Sequence, residues 1–210
     1  MRNAQDNPLM DASEQRHSGI FMRMRSFRGN NRGVAAVEFA LVFPLLLTMY
    51  IGTLEISMGM TVNKRVARVA STIADLVTQQ DELSRSELHA IMRLSESVMY
   101  PYDTTKPKVL IIGVDVDDAH PNWGKVAWSR GMDEAGNFVA GRTKGSDIVV
   151  PNRLRFDDSF LVMVQTDIKY VPVVAKFTGK DASGNPLGVN TGETYWLAPR
   201  LPVDITCKDC

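Results

Sequence analysis

Apolar residues crowd into one block near the start of the chain and then spread into periodic patterns. Residues 34–62 read VAAVEFALVFPLLLTMYIGTLEISMGMTV, and the sixteen residues 39–54 carry no charge. Sixteen residues make a helix of roughly 24 Å, whereas the hydrocarbon core of a bilayer is about 30 Å thick and takes about 20 residues to cross. A spanning helix must therefore include Glu38 or Glu55 near one edge, and residues 35–54 do so with Glu38 about one turn from the boundary. A carboxylate costs about 2.5–3.5 kcal/mol at the bilayer centre and less toward the edge, so Glu38 needs a compensating role. A secretory signal peptide would have a shorter apolar region followed by a small-x-small cleavage site, and this run ends instead in Glu55-Ile56-Ser57-Met58. Pro44 withdraws an N–H from the carbonyl of Ala40 and predicts a helix kink. Ala36 and Ala40, and Thr48 and Gly52, are small residues four apart that would let another helix approach closely.

The period changes after the apolar block. Val62, Val66, Val69, Ala70, Ile73, Leu76 and Val77 fall on one helical face, so the apolar helix is expected to continue as one long rod with an amphipathic second half. Ser84 and Glu87 fit a capping box, Leu83 and Leu88 a hydrophobic staple. A second, short helix should follow with Leu88, Ile91, Met92, Ser95, Val98 and Met99 as its stripe, ending at Tyr100-Pro101. His89 and Met92 lie on that helix with no metal partner in view. From about residue 107 the pattern is that of strands: residues 108–117, 125–129 with Trp128, 159–174, 195–197 and 203–205. Residues 130–145 read as an exposed loop or hairpin end, Ile148-Val149-Val150 stops at Pro151, and residues 178–191 are a Gly/Asn/Pro-rich loop. The predicted fold class is α+β: a long N-terminal transmembrane and amphipathic helix, a second short helix, then an antiparallel β-rich head.

Charge sharpens this division. The first 33 residues hold six Arg against three acids, and the rest of the chain balances them to a net charge of zero. The chain thus opens as a basic, disordered lead-in, and it lacks the bulk positive charge of a nucleic-acid binder. Arg23, Arg25, Arg28 and Arg32 precede the span and Lys64, Arg65 and Arg68 follow it, a thin margin for orienting it by the positive-inside rule. Three His and two Cys are too few for a zinc site of the usual spacing. Asp115, Asp117 and Asp118 offer carboxylate oxygens of the kind calcium takes, but they lack EF-hand spacing and read as a solvated face. No Walker loop and no nucleophile elbow occurs. Neither a metal, nor a cofactor, nor a catalytic residue is expected, and the chain is not read as an enzyme.

The junction ahead of the apolar block is the most specific feature. Arg32-Gly33 is followed by Val34-Ala35-Ala36-Val37-Glu38 and then the span. This arrangement resembles a type IV prepilin, whose basic leader ends in Gly and whose fifth mature residue is Glu. Within that superfamily, GVAAVEFALVFPLLL is similar to the TadE-like group of the tight-adherence (Flp/Tad) pilus system. The likeness is strong over residues 32–60 and fainter at Tyr100-Pro101-Tyr102-Asp103, Val126-Ala127-Trp128-Ser129 and Tyr195-Trp196-Leu197-Ala198-Pro199-Arg200.

The resemblance implies cleavage by a prepilin peptidase between Gly33 and Val34, and methylation of the new amine. That amine would have a pKa of about 8 and be mostly ammonium. Glu38 lies one turn on, and is expected in the first turn, where the helix dipole favours an anion. Its carboxylate could offset the charge within one subunit or, as in pilins, on a neighbour, which would fix subunit register. The implied partition is a cleaved leader over 1–33, a transmembrane helix over 34–61, amphipathic helices over 62–100 and a periplasmic head over 101–210. The implied setting is the bacterial inner membrane, crossed once, with other pilin-like subunits and the pilus assembly machinery as partners; entry into the extracellular fibre stays open. In the periplasm, Cys207 and Cys210 would form a small local disulfide. The competing reading is an uncleaved, signal-anchored periplasmic binding or envelope protein with Glu38 solvated by headgroups.

Overall fold

The computed structural model describes residues 33–100, 106–119, 122–180, 184, 187–201 and 204–210. The basic lead-in, the strand expected at Val203 and most of the Tyr100–Asp103 block lie outside these residues. The chain divides into two units, residues 1–53 and 54–210. The elements run α1 (Val34–Thr78), β1 (Glu82–Leu83), α2 (Arg85–Met99), β2 (Lys108–Val116), β3 (Gly124–Met132), β4 (Phe138–Ala140), β5 (Ser159–Tyr170), α3 (Val173–Thr178), β6 (Val189–Leu197) and β7 (Thr206–Cys207). This is the α+β arrangement of a long apolar helix, a short helix and an antiparallel sheet.

α1 is 45 residues long and stays helical through Pro44. Its second half buries Val62, Val66, Val69, Ala70, Ile73, Ala74 and Val77. Ala74 replaces Leu76 in the expected stripe, with Leu76 at its margin. α2 begins at the expected capping box: Glu87 N–H donates to Ser84 Oγ at 3.3 Å, and Ser84 N–H donates to Glu87 Oε2 at 2.7 Å. It buries Leu88, Met92, Ser95 and Met99. Ser95 is tolerated in that stripe because its hydroxyl donates to the carbonyl of Met92 at 2.6 Å.

The head is built on a five-stranded sheet in the order β4-β3-β2-β5-β6, antiparallel throughout. Both faces of its centre are covered, so β2 and β5 read as near-continuous apolar runs. Val109, Ile111, Val162 and Val164 face a core shared with α1 and α2. Ile112, Val114, Leu161 and Met163 face a smaller core closed by Ile148 and Val150. Opposite Gly113/Val114, β3 carries one extra residue, since Val114 pairs with Val126 but Gly113 pairs with Trp128. That bulge lets Val126 enter the smaller core and Trp128 the larger one, although they are two apart in sequence.

Four sequence expectations change. The long strand stops at Tyr170 rather than 174, because Pro172 cannot donate to a ladder, and residues 173–178 turn into α3. β6 reaches back to Val189, into the expected loop, and β3 runs on to Met132. The closing strand is Thr206–Cys207 rather than 204–205, and it pairs in parallel with β1: Glu82 opposite Thr206, Leu83 opposite Cys207. Residues 130–145 resolve as the hairpin end, with Phe138 opposite Met132.

Candidate subunit-assembly helix and the surfaces around it

The first stretch of α1 has the composition of a buried helix and the exposure of a surface one. Val37, Phe39 and Leu41 are 67%, 65% and 76% exposed, and every residue from 33 to 51 is exposed. The helix is long and apolar enough to cross a membrane. Phe39 and Phe43 stack with ring centroids 5.3 Å apart, as an i, i+4 pair should. The hydroxyl of Thr48 donates to the carbonyl of Leu45 at 2.8 Å and that of Thr53 to Met49 at 2.9 Å, so neither presents an unsatisfied donor to an apolar medium. A Cβ placed on Gly52 would meet nothing within 4 Å, which leaves the Thr48/Gly52 side open to an approaching helix.

Gly33 is the last residue before α1, and Val34 is its first helical residue. Glu38 is therefore the fifth residue of the helix. No acid occupies the first turn, which corrects the expectation that Glu38 sits there. The helix dipole falls off within that turn, so it does little for this carboxylate. Glu38 is exposed, and among the described residues it makes no hydrogen bond or ion pair.

Residues 33–75 match the family model described as TadE-like protein. The TadE-like segment starts at Gly33 and takes in Val34, Glu38, Pro44, the whole apolar run and most of the amphipathic half of α1. The match covers about a fifth of the chain. It stops short of the fainter sequence blocks at 100–103, 126–129 and 195–200. No curated protein and no solved structure matches the chain.

Beyond the TadE-like segment, the head closes on its own C-terminus. Trp128, 6% exposed, donates its indole N–H to the carbonyl of Ile205 at 2.7 Å. Thr206 N–H donates to Asp81 O at 3.2 Å and Lys208 N–H to Leu83 O at 3.1 Å. Arg85 N–H donates to the carboxylate of Asp209 at 2.6 Å, and its guanidinium donates to the Asp209 carbonyl. Cys207 and Cys210 are bonded to each other with Cα atoms 5.6 Å apart. A cleft of about 500 Å³ lies beside them, lined by Trp128, Arg130, Arg142 and Asp204 among others.

The expected acid trio splits. Asp117 and Asp118 come together with Asp157, their carboxylate oxygens within 4.8 Å of one another. Asp117 accepts from Ala119 N–H at 2.8 Å and Asp157 from Asp118 N–H at 3.2 Å, so two of these acids serve the turn that follows β2. Asp115 instead lies near Asp204 and Lys144; burial first, then Asp204, raises its pKa. His89 stacks on Phe138 with centroids 3.6 Å apart, and its Nε2 is buried without a partner. Burial, and then Arg130, Arg85 and Arg93, lower its pKa.

Proposed function

We propose that the chain is a minor pilin or pilin-like component of a tight-adherence pilus, made as a precursor. A prepilin peptidase cuts it between Gly33 and Val34. It crosses the bacterial inner membrane once through α1 and holds its head in the periplasm. Its work is association with other pilin-like subunits and the pilus assembly machinery, through helix packing along the exposed run and through the head. In this reading Glu38 offsets the ammonium bared at Val34, four residues or about 6 Å of helix rise away. A carboxylate with that partner costs less near lipid than one alone, so pairing favours one register between subunits.

One observation carries this reading: the TadE-like match opens at Gly33, directly ahead of a helix whose apolar residues are bare for its first five turns. An uncleaved anchor needs neither Glu38 nor a helix that starts where the cut would fall. Mass spectrometry of the membrane-extracted protein tests it. A mature N-terminus at Val34 is expected in cells with the peptidase. An intact leader there would refute the precursor reading and leave the uncleaved anchor. Glu38→Ala should leave membrane anchoring unchanged and impair pilus assembly; normal pili would remove the pairing role.

A further inference from the structure

Glu55 is the first charge after the apolar run, one residue beyond Leu54, and the fold gives it two partners. Its Oε2 accepts from the Tyr170 hydroxyl at 3.3 Å, and its Oε1 accepts from the backbone N–H of Val174 at 2.8 Å. Val174 is the second residue of α3, so this bond ties Glu55 to the start of that short helix. The other end of α3 is fastened too. Gly179 N–H donates to Ala175 O at 3.1 Å, and Leu187 N–H donates to Gly179 O at 3.2 Å. A Cβ on Gly179 would come within 2.7 Å of Leu187 Cδ1, so Leu187 lies across Gly179.

What this small unit shows to its surroundings is apolar. Val173, Val174, Leu187 and Val189 are 44%, 38%, 53% and 62% exposed. Beside them opens a groove of about 340 Å³ lined by Ile56, Gly59, Tyr170, Pro172, Val189 and Thr191 together with Glu55. Lys176 on α3 and Lys180 just after it are exposed. Valines with a tyrosine and flanking lysines are what the zone between hydrocarbon and water favours, since lysine can keep its ammonium wet while its stem lies on apolar surface. The location follows from the chain. For a span over residues 35–54, Glu55 is the next residue of the chain, and its two hydrogen bonds tie Tyr170 and the start of α3 to that point. The headgroup zone is about 5–8 Å deep on each side of the core, so a helix about 10 Å across lying there would also reach the top of the hydrocarbon.

We infer that α3 and the apolar residues beside it form a foot that rests in the lipid headgroup layer of the bilayer crossed by α1, with Glu55 as the latch that holds it there. The inference rests on α1 being a single-pass anchor. Glu55 is then a positioning residue: its half-buried carboxylate beside the span is tolerated because it accepts two hydrogen bonds.

The test uses the full chain in vesicles of phosphatidylethanolamine and phosphatidylglycerol. An environment-sensitive fluorophore is attached in turn to Val174→Cys, Val189→Cys, Leu46→Cys and Val149→Cys, without reductant so that Cys207 and Cys210 stay bonded. Lipids carrying a nitroxide near the headgroup or deep in the chain supply the quencher. The labels at 174 and 189 should emit blue-shifted light and lose most of it to the shallow nitroxide. The label at 46 should be quenched best by the deep one, and the label at 149 should behave as in water. Quenching at 46 with water-like emission at 174 and 189 would overturn the foot and leave the anchor standing. No quenching at 46 would overturn both. Dry but unquenched labels at 174 and 189, varying with protein-to-lipid ratio, would overturn the foot in favour of a second copy of the chain. Adding Glu55→Ala should return the label at 174 to the emission seen at 149 without changing the label at 46; unchanged quenching at 174 would remove the latch.

Discussion

Replacing Trp128 with Phe separates the C-terminal strap from the rest of the head with little change in side-chain shape. The indole N–H donates to the buried carbonyl of Ile205, and Phe has nothing to offer it. Leaving a buried acceptor unmet costs about 1–3 kcal/mol. The smaller ring also leaves a void of roughly 40 Å³, which at about 24 cal/mol per Å³ adds about 1 kcal/mol. The expected loss is about 2–4 kcal/mol, a large part of the ~5–15 kcal/mol that stabilises an ordinary domain. Urea unfolding of the full chain in mild detergent, followed by far-UV circular dichroism, reads it as a lower midpoint at unchanged slope. The strap should also loosen before the core does, so Cys207–Cys210 should be reduced faster by a water-soluble phosphine in Trp128→Phe than in the parent. Trp123→Phe is the control: Trp123 lies at the edge of the smaller core beneath Arg155, and its substitution should leave the disulfide rate unchanged. A shift below about 0.5 kcal/mol for Trp128→Phe, the size of an ordinary surface change, would refute the role assigned to this bond.

Gly113→Ala should also destabilise the head, because the new Cβ would lie 2.5 Å from Trp128 Cε2 and 2.7 Å from Phe160 Cζ; about 1–3 kcal/mol of overpacking is expected in the same urea assay. Ser84→Ala removes the acceptor for Glu87 N–H and should cost about 1 kcal/mol, with helix content otherwise kept. His89 makes stability depend on pH. Its folded pKa is lowered by burial, with Arg130 on β3 and Arg85 and Arg93 on α2 adding to that and Asp209 opposing it. The unfolded chain therefore takes up a proton first as the pH falls below about 6.5, and the stability that neutral His89 contributes, complete above that value, is lost toward the folded value. Urea midpoints measured down through this range should fall less steeply in His89→Gln than in the parent, and identical slopes would count against the buried site.

The helical half of the fold was legible because its signals are local. One face of α1 and one of α2 repeat with helical period, and Ser84 with Glu87 marks a helix start from four residues alone. The β half was legible only where a strand's apolar run was interrupted by turn residues. The register of β3 was not, since the extra residue opposite Gly113/Val114 depends on which residues face it across the sheet. α3 was missed although Pro172 announces the end of β5; an apolar stretch of this length reads the same as strand or helix until its partners are known. The parallel pairing of β1 with β7 joins residues 82–83 to 206–207, and two-residue strands leave no period to read. Of the candidate site residues, Gly33, Val34, Glu38 and Pro44 are sequence features first, and the helix start at Val34 is what the fold adds. Glu55 was seen only as a limit on the span; its partners Tyr170 and Val174 lie more than a hundred positions away.

The two acids of the apolar helix separate what this chain supplies for itself from what it leaves for others. Each lies close to the end of a charge-free run, and each would be costly near lipid if left alone. Glu55 is answered inside the chain by a tyrosine hydroxyl and a helix N-terminus. Glu38 is on a helix whose every nearby side chain faces outward, and no described residue answers it. Nor does its own helix offer much, because it lies past the first turn, where orphan N–H groups end. In the proposed membrane setting, a positive group arriving from elsewhere would lower the cost of this carboxylate. The proposed cut at Gly33 would create one at Val34, and on a neighbouring subunit that amine could meet Glu38 only when the two helices are aligned. The same segment carries bare apolar residues and an open Gly52, which favour close packing but accept many registers. In the proposed assembly, packing along the helix would supply contact area and the charge would supply the choice of register, a division of labour that the Glu38→Ala variant tests.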